Sequence, residues 1–452
     1  MSDPTSDSSA APPQTSSKSS NTVPFFLNGA EQLTSKTFPV TSAGTNQYLY
    51  ESASAQTSDA EAAVAAAAAA LPAWRALKPA KRAAILVKTA EVMNSRHDEL
   101  AGYLTSETGA TPAWADFNLK VTTDILIASA ARVHSVEGII PTPAGEGSSA
   151  LIVKEPFGVV LAIAPWNAPY ILGIRAIAGP LVTGNTVVLK GPSDAPAVTA
   201  ALIAHRDVKK INFTGSTGVG RIIGPPRRGK PSSPCLLELG GERPPAHRLG
   251  KKLGFQLAAQ KPPSASVVHK GRGAPALLSP APSRRRRENL FSPAEAPRGS
   301  LLGLPSPRTR SSSVMPSRQG ARVVAGDPNA DDASPTRMRP VVLGGVTAEM
   351  DIYQTESFGP TVSLYEVETE EEALRIANDT EYGLSSAVFT EDLRRGLRFA
   401  KNIETGAVHI NSMTVHDEPA LPHGGAKASG YGRFNAGALE EWVRTKTITY
   451  QD

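Results

Sequence analysis

The chain has 452 residues, 40% of them hydrophobic and 20% charged, with a formal net charge of +5. That is ordinary globular composition, long enough for two or three domains around a large core. Its single cysteine, Cys235, excludes an internal disulfide framework and a cysteine-rich metal site. The charge is concentrated rather than spread. Residues 242–320 hold 15 Lys/Arg against 3 Glu and no Asp, so the remainder is acidic and the chain is not globally basic.

Residues 1–22 carry eight Ser and no aromatic residue, and read as a disordered tail with no secretory signal. Order is expected from Val23-Pro24-Phe25-Phe26-Leu27, ended by the turn pair Asn28-Gly29. Ser58-Asp59-Ala60-Glu61 fits a capping box ahead of an alanine-rich helix. Its apolar stretch, Ala62 to Leu71, is too short to span a bilayer, so a cytoplasmic protein without a membrane partner is expected. Pro79 suits the first turn of a next helix, with Ile85, Leu86, Val92, Met93 and Leu100 on one side and a stop near Gly109. The stretch 136–155 reads as two strands, around Ile139-Ile140 and Leu151-Ile152-Val153, joined by a loop.

From Phe157 to Ala164 the chain is continuously apolar, as a parallel strand buried on both faces requires. Thr186 to Leu189 and Lys210 to Phe213 look like two more, with helical segments between them. The expected class is α/β, with a doubly wound parallel sheet. Residues 242–320 break the pattern, with twelve Pro, the run Arg284 to Arg287, and no sustained helical or strand periodicity. A basic nucleic-acid arm is the alternative for that segment. Its only aromatic residues are Phe255 and Phe291, too few to stack bases, and no nucleic-acid partner is expected. Order is expected again near Ala321 to Val324. A strand over 340–343, helices over 370–378 and 390–402, a strand over 407–411 and an edge strand over 445–450 follow.

Four stretches carry candidate chemistry. Pro165-Trp166-Asn167 directly follows the apolar strand, at the end where open α/β sheets bind ligands, and an Asn there can donate to a developing oxyanion. Phe213-Thr214-Gly215-Ser216-Thr217-Gly218-Val219-Gly220 follows another strand and opens a helix, whose free N–H groups suit a phosphate. Its bland reading is a glycine-rich turn. Leu236-Leu237-Glu238-Leu239-Gly240-Gly241 puts one carboxylate in an apolar strand, where burial would raise its pKa toward that of a general base. Cys235 lies an odd number of residues before Glu238 and so faces the other way; it reads as an inert buried thiol. Thr355-Glu356-Ser357-Phe358-Gly359-Pro360 is a rigid turn offering a carboxylate and a ring.

In this order, these stretches resemble the aldehyde dehydrogenase superfamily over about 23–190, 196–241 and 321–452. The ending from His409-Ile410-Asn411 through Gly424-Gly425 to Tyr431-Gly432-Arg433 resembles the branch acting on aromatic aldehydes of the salicylaldehyde and vanillin type. The resemblance implies an NAD(P)-binding domain over 23–135 and 156–241. It also implies bridging, oligomerising strands at 136–155 and 443–452, a catalytic domain over 321–442, and a homodimer or homotetramer.

It further implies that Asn167 is the oxyanion donor and Glu238 the general base. Trp166, Lys190, Gly215, Ser216, Thr217, Gly218, Val219, Gly220, Leu239, Glu356 and Phe358 would meet NAD, with NADP possible. No metal is implied. The family's cysteine thiolate attacks the aldehyde, hydride passes to the cofactor, and water hydrolyses the thioester.

The chain departs from this pattern twice. After Lys190-Gly191-Pro192-Ser193 it runs almost directly into Ala195-Pro196-Ala197, as if a helix–strand unit were deleted. Residues 242–320 stand where a Phe-Asn-Gln-Gly-Gln loop and the catalytic cysteine belong. Their composition resembles a wrong reading frame or a retained intron, with the frame recovered near Ser317 to Ala321. Two readings of function follow: an aldehyde dehydrogenase with a disrupted middle, and a non-catalytic relative that binds a dinucleotide or a paralogue.

Overall fold

The computed structural model describes residues 22–192, 195–224, 234–240, 254–258, 266–271, 320–327, 341–354, 356, 361–412, 414 and 418–451. The tail before Thr22, most of 242–320 with Arg284 to Arg287, Pro340 and Phe358 lie outside them.

Short strands occupy Thr22–Val23, Phe25–Leu27, Ala30–Gln32, Thr37–Thr41 and Tyr48–Ala53. Four helices follow: α1 (Thr57–Ala76), α2 (Pro79–Ser95), α3 (His97–Thr108) and α4 (Pro112–Ala131). The capping box sits two residues before the expected one. Gln56 is the N-cap, and its N–H donates to Asp59 Oδ2 at 2.7 Å. The single helix expected from Pro79 is two, divided at Arg96, whose ψ of 22° leaves the helical region. Gly109, at φ 67°, ends α3 as expected, since a left-handed cap favours glycine. The expected apolar face of α2 holds for Leu86, but Ile85 and Val92 are exposed. Ala90 and the aliphatic stem of Arg82 are buried instead, because the Arg82 guanidinium bonds the carbonyls of Leu77 and Val182.

The first large sheet begins after the hairpin-like strand β1 (Ser148–Pro156). Its members are β2 (Val159–Ile163), β3 (Thr186–Lys190), β4 (Val208–Thr214) and β5 (Cys235–Glu238). Helices α5 (Pro169–Val182), α6 (Pro196–Ala204) and α7 (Thr217–Ile223) connect them. The spatial order is β3-β2-β4-β5, all parallel, so the direction of winding reverses between β2 and β4.

Alternation explains the apolar run. Val159, Leu161 and Ile163 face a core with Val64 of α1 and Leu202 of α6, while Val160 faces another with Leu86, Ile125, Leu172 and Trp442. The α/β class is as expected.

A second, seven-stranded sheet contains β6 (Gly254–Ala258), β7 (Ser266–Gly271), β8 (Arg322–Ala325), β9 (Val341–Gly344), β10 (Thr361–Val367), β11 (Ser385–Phe389) and β12 (Val408–Ile410). Its order is β8-β9-β10-β7-β6-β11-β12. Strands β6 and β7 correct the reading of 242–320 as structureless throughout. Their backbones pair with β11 and β10, partners that exist independently of any apolar pattern in β6 and β7.

Among the described residues, three helices complete this half: α8 (Asp351–Gln354), α9 (Glu370–Asn378) and α10 (Leu393–Asn402). Helix α10 starts at Leu393 rather than Thr390, because Asp392 caps it by accepting from the N–H groups of Arg394 and Arg395 at 2.9 and 3.2 Å. Phe399 of α10, Ile376 of α9 and Leu343 of β9 share the core.

Strand β13 (Gly430–Tyr431) then joins the first sheet antiparallel to β5, and β14 (Val443–Gln451) pairs antiparallel with β1 over nine residue pairs. The Ile139-Ile140 strand is only a bridge between Ile139 and Ile152. Among the described residues, no helix is long and apolar enough to cross a membrane.

Candidate active site

The carboxyl ends of the parallel strands bring most of the sequence candidates to one rim. Strand β2 ends at Ile163, and the bend before α5 holds Trp166 and Asn167, both half-buried. Lys190 ends β3, with its Nζ 3.0 Å from the Gly191 carbonyl. The N–H of Ala164 donates to the Lys190 carbonyl at 3.1 Å, so the two strand ends are tied together. Strand β4 runs into Gly215 and Ser216. Ser216 is the N-cap of α7, its Oγ accepting from the Val219 N–H. Gly218 and Val219 are exposed, whereas Thr217 and Gly220 are buried.

Strand β5 continues the rim. The Gly215 N–H donates to the Glu238 carbonyl at 3.0 Å, and the Gly240 N–H donates to Thr217 Oγ1 at 3.1 Å. Leu239 covers Gly220 so closely that a Cβ on that glycine would collide with the leucine side chain. A Cβ on Gly240 would stand 2.7 Å from Glu356 Oε2 and 3.0 Å from Thr217 Oγ1. Gly215 to Gly220, Glu238 to Gly240 and Glu356 therefore form one cluster. Asn167 and Trp166 follow β2, two strand spacings or roughly 10 Å from β5. No contact joins Asn167 to Glu238 among those described.

Glu238 is buried, and the Arg175 guanidinium of α5 pairs with its Oε2. His423 Nε2 lies 3.5 Å from the other oxygen, Oε1. Phe434 stands beneath Arg175, its ring centroid 4.9 Å away, and exchanges backbone hydrogen bonds with His423. Within its apolar strand the Glu238 carboxylate is thus compensated by a cation. Arg175, His423 and Phe434 were not among the candidates. One signal was available for Arg175, a lone charge inside the apolar helix Ile171-Leu172-Gly173-Ile174-Arg175-Ala176, which requires a partner once buried.

The second half of the chain closes over β5. Ser429 is fully buried; its carbonyl accepts from the Leu239 N–H at 2.8 Å and its Oγ donates to the Gly240 carbonyl at 2.7 Å. Gly430 is at φ 142° and so near the Leu237 carbonyl that no Cβ fits, which is what lets β13 pair there. Tyr382 is also buried, and burial, followed by the neighbouring Glu381 and Glu356 carboxylates, pushes its phenol far up.

Cys235 lies at the other end of β5, opposite Ile211. Burial pushes its thiol up, and the nearby Lys210 ammonium opposes this. A thiol so placed is mostly protonated and poorly nucleophilic. Among the described residues, no group of His, Cys, Asp and Glu is arranged to hold a metal ion.

The aldehyde dehydrogenase family model matches residues 30–204, 194–246 and 314–448. A vanillin dehydrogenase of a Pseudomonas strain is 36% identical over 478 aligned residues, covering 95% of this chain and 98% of that protein. A salicylaldehyde dehydrogenase of Pseudomonas putida is 32% identical, covering 94% and 98%. Among solved structures, salicylaldehyde dehydrogenase from Pseudomonas putida G7 complexed with salicylaldehyde superimposes with a TM-score of 0.81 at 28% identity, covering 95% of this chain and 98% of that one. PnpE in complex with nicotinamide adenine dinucleotide gives a TM-score of 0.81 at 25% identity, covering 95% and 97%. With the strand-end cluster and these matches together, the chain belongs to the aldehyde dehydrogenase family.

Proposed function

We propose that this site is built to oxidise an aromatic aldehyde to its carboxylic acid with a nicotinamide dinucleotide, NAD rather than NADP. The observation that carries the reading is the gathering of the Gly215–Gly220 turn, Glu238 and Glu356 at the carboxyl ends of adjacent parallel strands. The aromatic substrate class is supported by the vanillin and salicylaldehyde dehydrogenases to which the chain is similar.

The residues present fit a dinucleotide. Glu356 presents its carboxylate beside Gly240 and Thr217, as a ribose hydroxyl pair requires, and the backbone from Gly215 to Gly220 approaches from the next strand. Trp166, Lys190 and Phe358 are assigned to the same ligand. The cofactor, when bound, accepts hydride. Asn167 would donate to the oxyanion, and Glu238 would take a proton from water once released from Arg175. The long two-stranded ribbon of β1 and β14 supports a homo-oligomer, dimer or tetramer, and a cytoplasmic location is in keeping with the family.

A second reading is favoured by Cys235. It is the single cysteine, and it lies at the far end of β5 with a thiol disfavoured for attack. On this reading the present chain binds the dinucleotide without turnover. The two are separated by sequencing cDNA across codons 190–320. A transcript encoding the missing helix–strand unit and a cysteine loop would assign oxidation to the encoded enzyme. A transcript matching the present chain would leave a non-catalytic relative, and purified protein would then reduce no NAD+ with benzaldehyde. Turnover abolished by Cys235→Ser would overturn that outcome.

A further inference from the structure

At the end of β2 opposite to Asn167 lies a cleft of about 360 Å³, lined by Leu71, Arg75, Pro156, Phe157, Gly158, Lys209 and Arg444. From Gly158 to Ala164 the extended chain spans roughly 20 Å, so the cleft is separate from the cluster around Glu238. Four elements build it: the last turns of α1, the β1–β2 junction, and the starts of β4 and β14.

Its floor is apolar and shaped. Gly158 is at φ 127°, a backbone conformation that favours glycine, and a Cβ there would crowd the Lys209 side chain at 3.2 Å and touch Leu71 at 3.6 Å. Lys210 Nζ stands over the Phe157 ring, 4.8 Å from its centroid.

The walls carry excess positive charge. The ionisable lining residues among those described, Arg75, Lys209 and Arg444, are cations; Lys209 has Asp207 Oδ1 at 3.9 Å, which leaves the two arginines to supply the excess. Glu155 stands next to them and is already compensated. Lys446 approaches it at 2.5 Å, Arg444 at 3.3 Å and Arg75 at 3.5 Å. Three cations share one carboxylate, and each arginine gives Glu155 a single nitrogen. A guanidinium has five N–H donors in a fork matched to a carboxylate, so both retain donors for an anion.

We propose that this cleft binds a small organic anion with a flat apolar body, of the aryl carboxylate class. Its carboxylate bridges Arg75 and Arg444, and its ring lies on Leu71, Pro156 and Phe157. The inference does not depend on the site around Glu238 being catalytic.

The test is saturation-transfer NMR on the full chain with benzoate as the probe, and with acetate, inorganic phosphate and benzyl alcohol as comparators. Benzoate is expected to bind saturably, and each comparator, lacking either ring or charge, at least about tenfold more weakly. Arg75→Gln and Arg444→Gln, both at exposed side chains, are each expected to weaken benzoate about tenfold. Leu71→Ser is expected to weaken benzoate while leaving acetate unchanged, with unaltered melting as the check on folding. No saturable binding would overturn the proposal. Equal binding of acetate or phosphate would reduce the cleft to diffuse surface charge. Benzoate binding that survives both arginine variants would put the ligand elsewhere, the cluster around Glu238 included.

Discussion

Arg175 and Glu238 form an ion pair in which the side chains are only 1% and 4% exposed. One comes from the middle of α5 and the other from the last residue of β5, so the pair fastens a helix to the carboxyl end of the sheet. Removing one partner leaves the other charge buried. Arg175→Ala and Glu238→Ala are each expected to cost roughly 3–5 kcal/mol. Replacing both with apolar residues, as in Arg175→Met with Glu238→Leu, is expected to cost less than either single change. Urea denaturation of the set measures this; additive losses would contradict it.

Asn185 is fully buried, and its side chain joins three parts of the chain. Its Oδ1 accepts from the Gly158 N–H at 2.9 Å. Its Nδ2 donates to the carbonyls of Trp442 at 2.9 Å and Pro180 at 3.2 Å, and to Thr183 Oγ1 at 3.0 Å. Asn185→Ala strands these groups and is expected to destabilise by roughly 2–4 kcal/mol. A change in the urea midpoint smaller than that of a typical exposed substitution would contradict it.

Two tyrosines make stability fall at alkaline pH. Burial pushes the Tyr170 phenol up to about 12; burial, followed by the hydrogen bond to Asp379, does the same to Tyr353. Unfolded tyrosine ionises near 10, so above that pH the unfolded chain loses protons that the folded chain keeps. Their stabilisation is complete below pH 10 and is lost between about pH 10 and 12. Tyr170→Phe and Tyr353→Phe are each expected to flatten that decline in a pH series of melts; an unchanged slope would contradict it.

The Cys235 thiol, pushed up by burial, is expected to react slowly with Ellman's reagent in the native protein and quickly in urea. Fast native labelling at neutral pH would mean that the thiol is a better nucleophile than its surroundings indicate.

If Glu356 holds a ribose, Glu356→Gln should weaken NAD+ binding about tenfold, the loss of one hydrogen bond to a charged group. Fluorescence titration measures this. Unchanged affinity would take Glu356 out of the cofactor site.

Local physics was enough to read much of this chain. The unbroken apolar run before Ala164 announces a strand with both faces buried, and the alternating contacts of Val159 to Ile163 with two cores are the consequence. The helix stop at Gly109 was likewise legible, because it depends on a few neighbouring residues. The order of motifs carried the family.

Tertiary contact decided the rest. Nothing near Glu238 in sequence shows that Arg175, 63 residues earlier, neutralises it, or that His423 and Phe434 complete its surroundings. Strands β6 and β7 have no pattern of their own to announce them; they exist by pairing with β11 and β10. The arginines of the basic cleft come from positions 75 and 444, brought together because β14 returns to pair with β1. Sequence fixes what a residue needs when buried, and only the packed chain decides which distant residue supplies it.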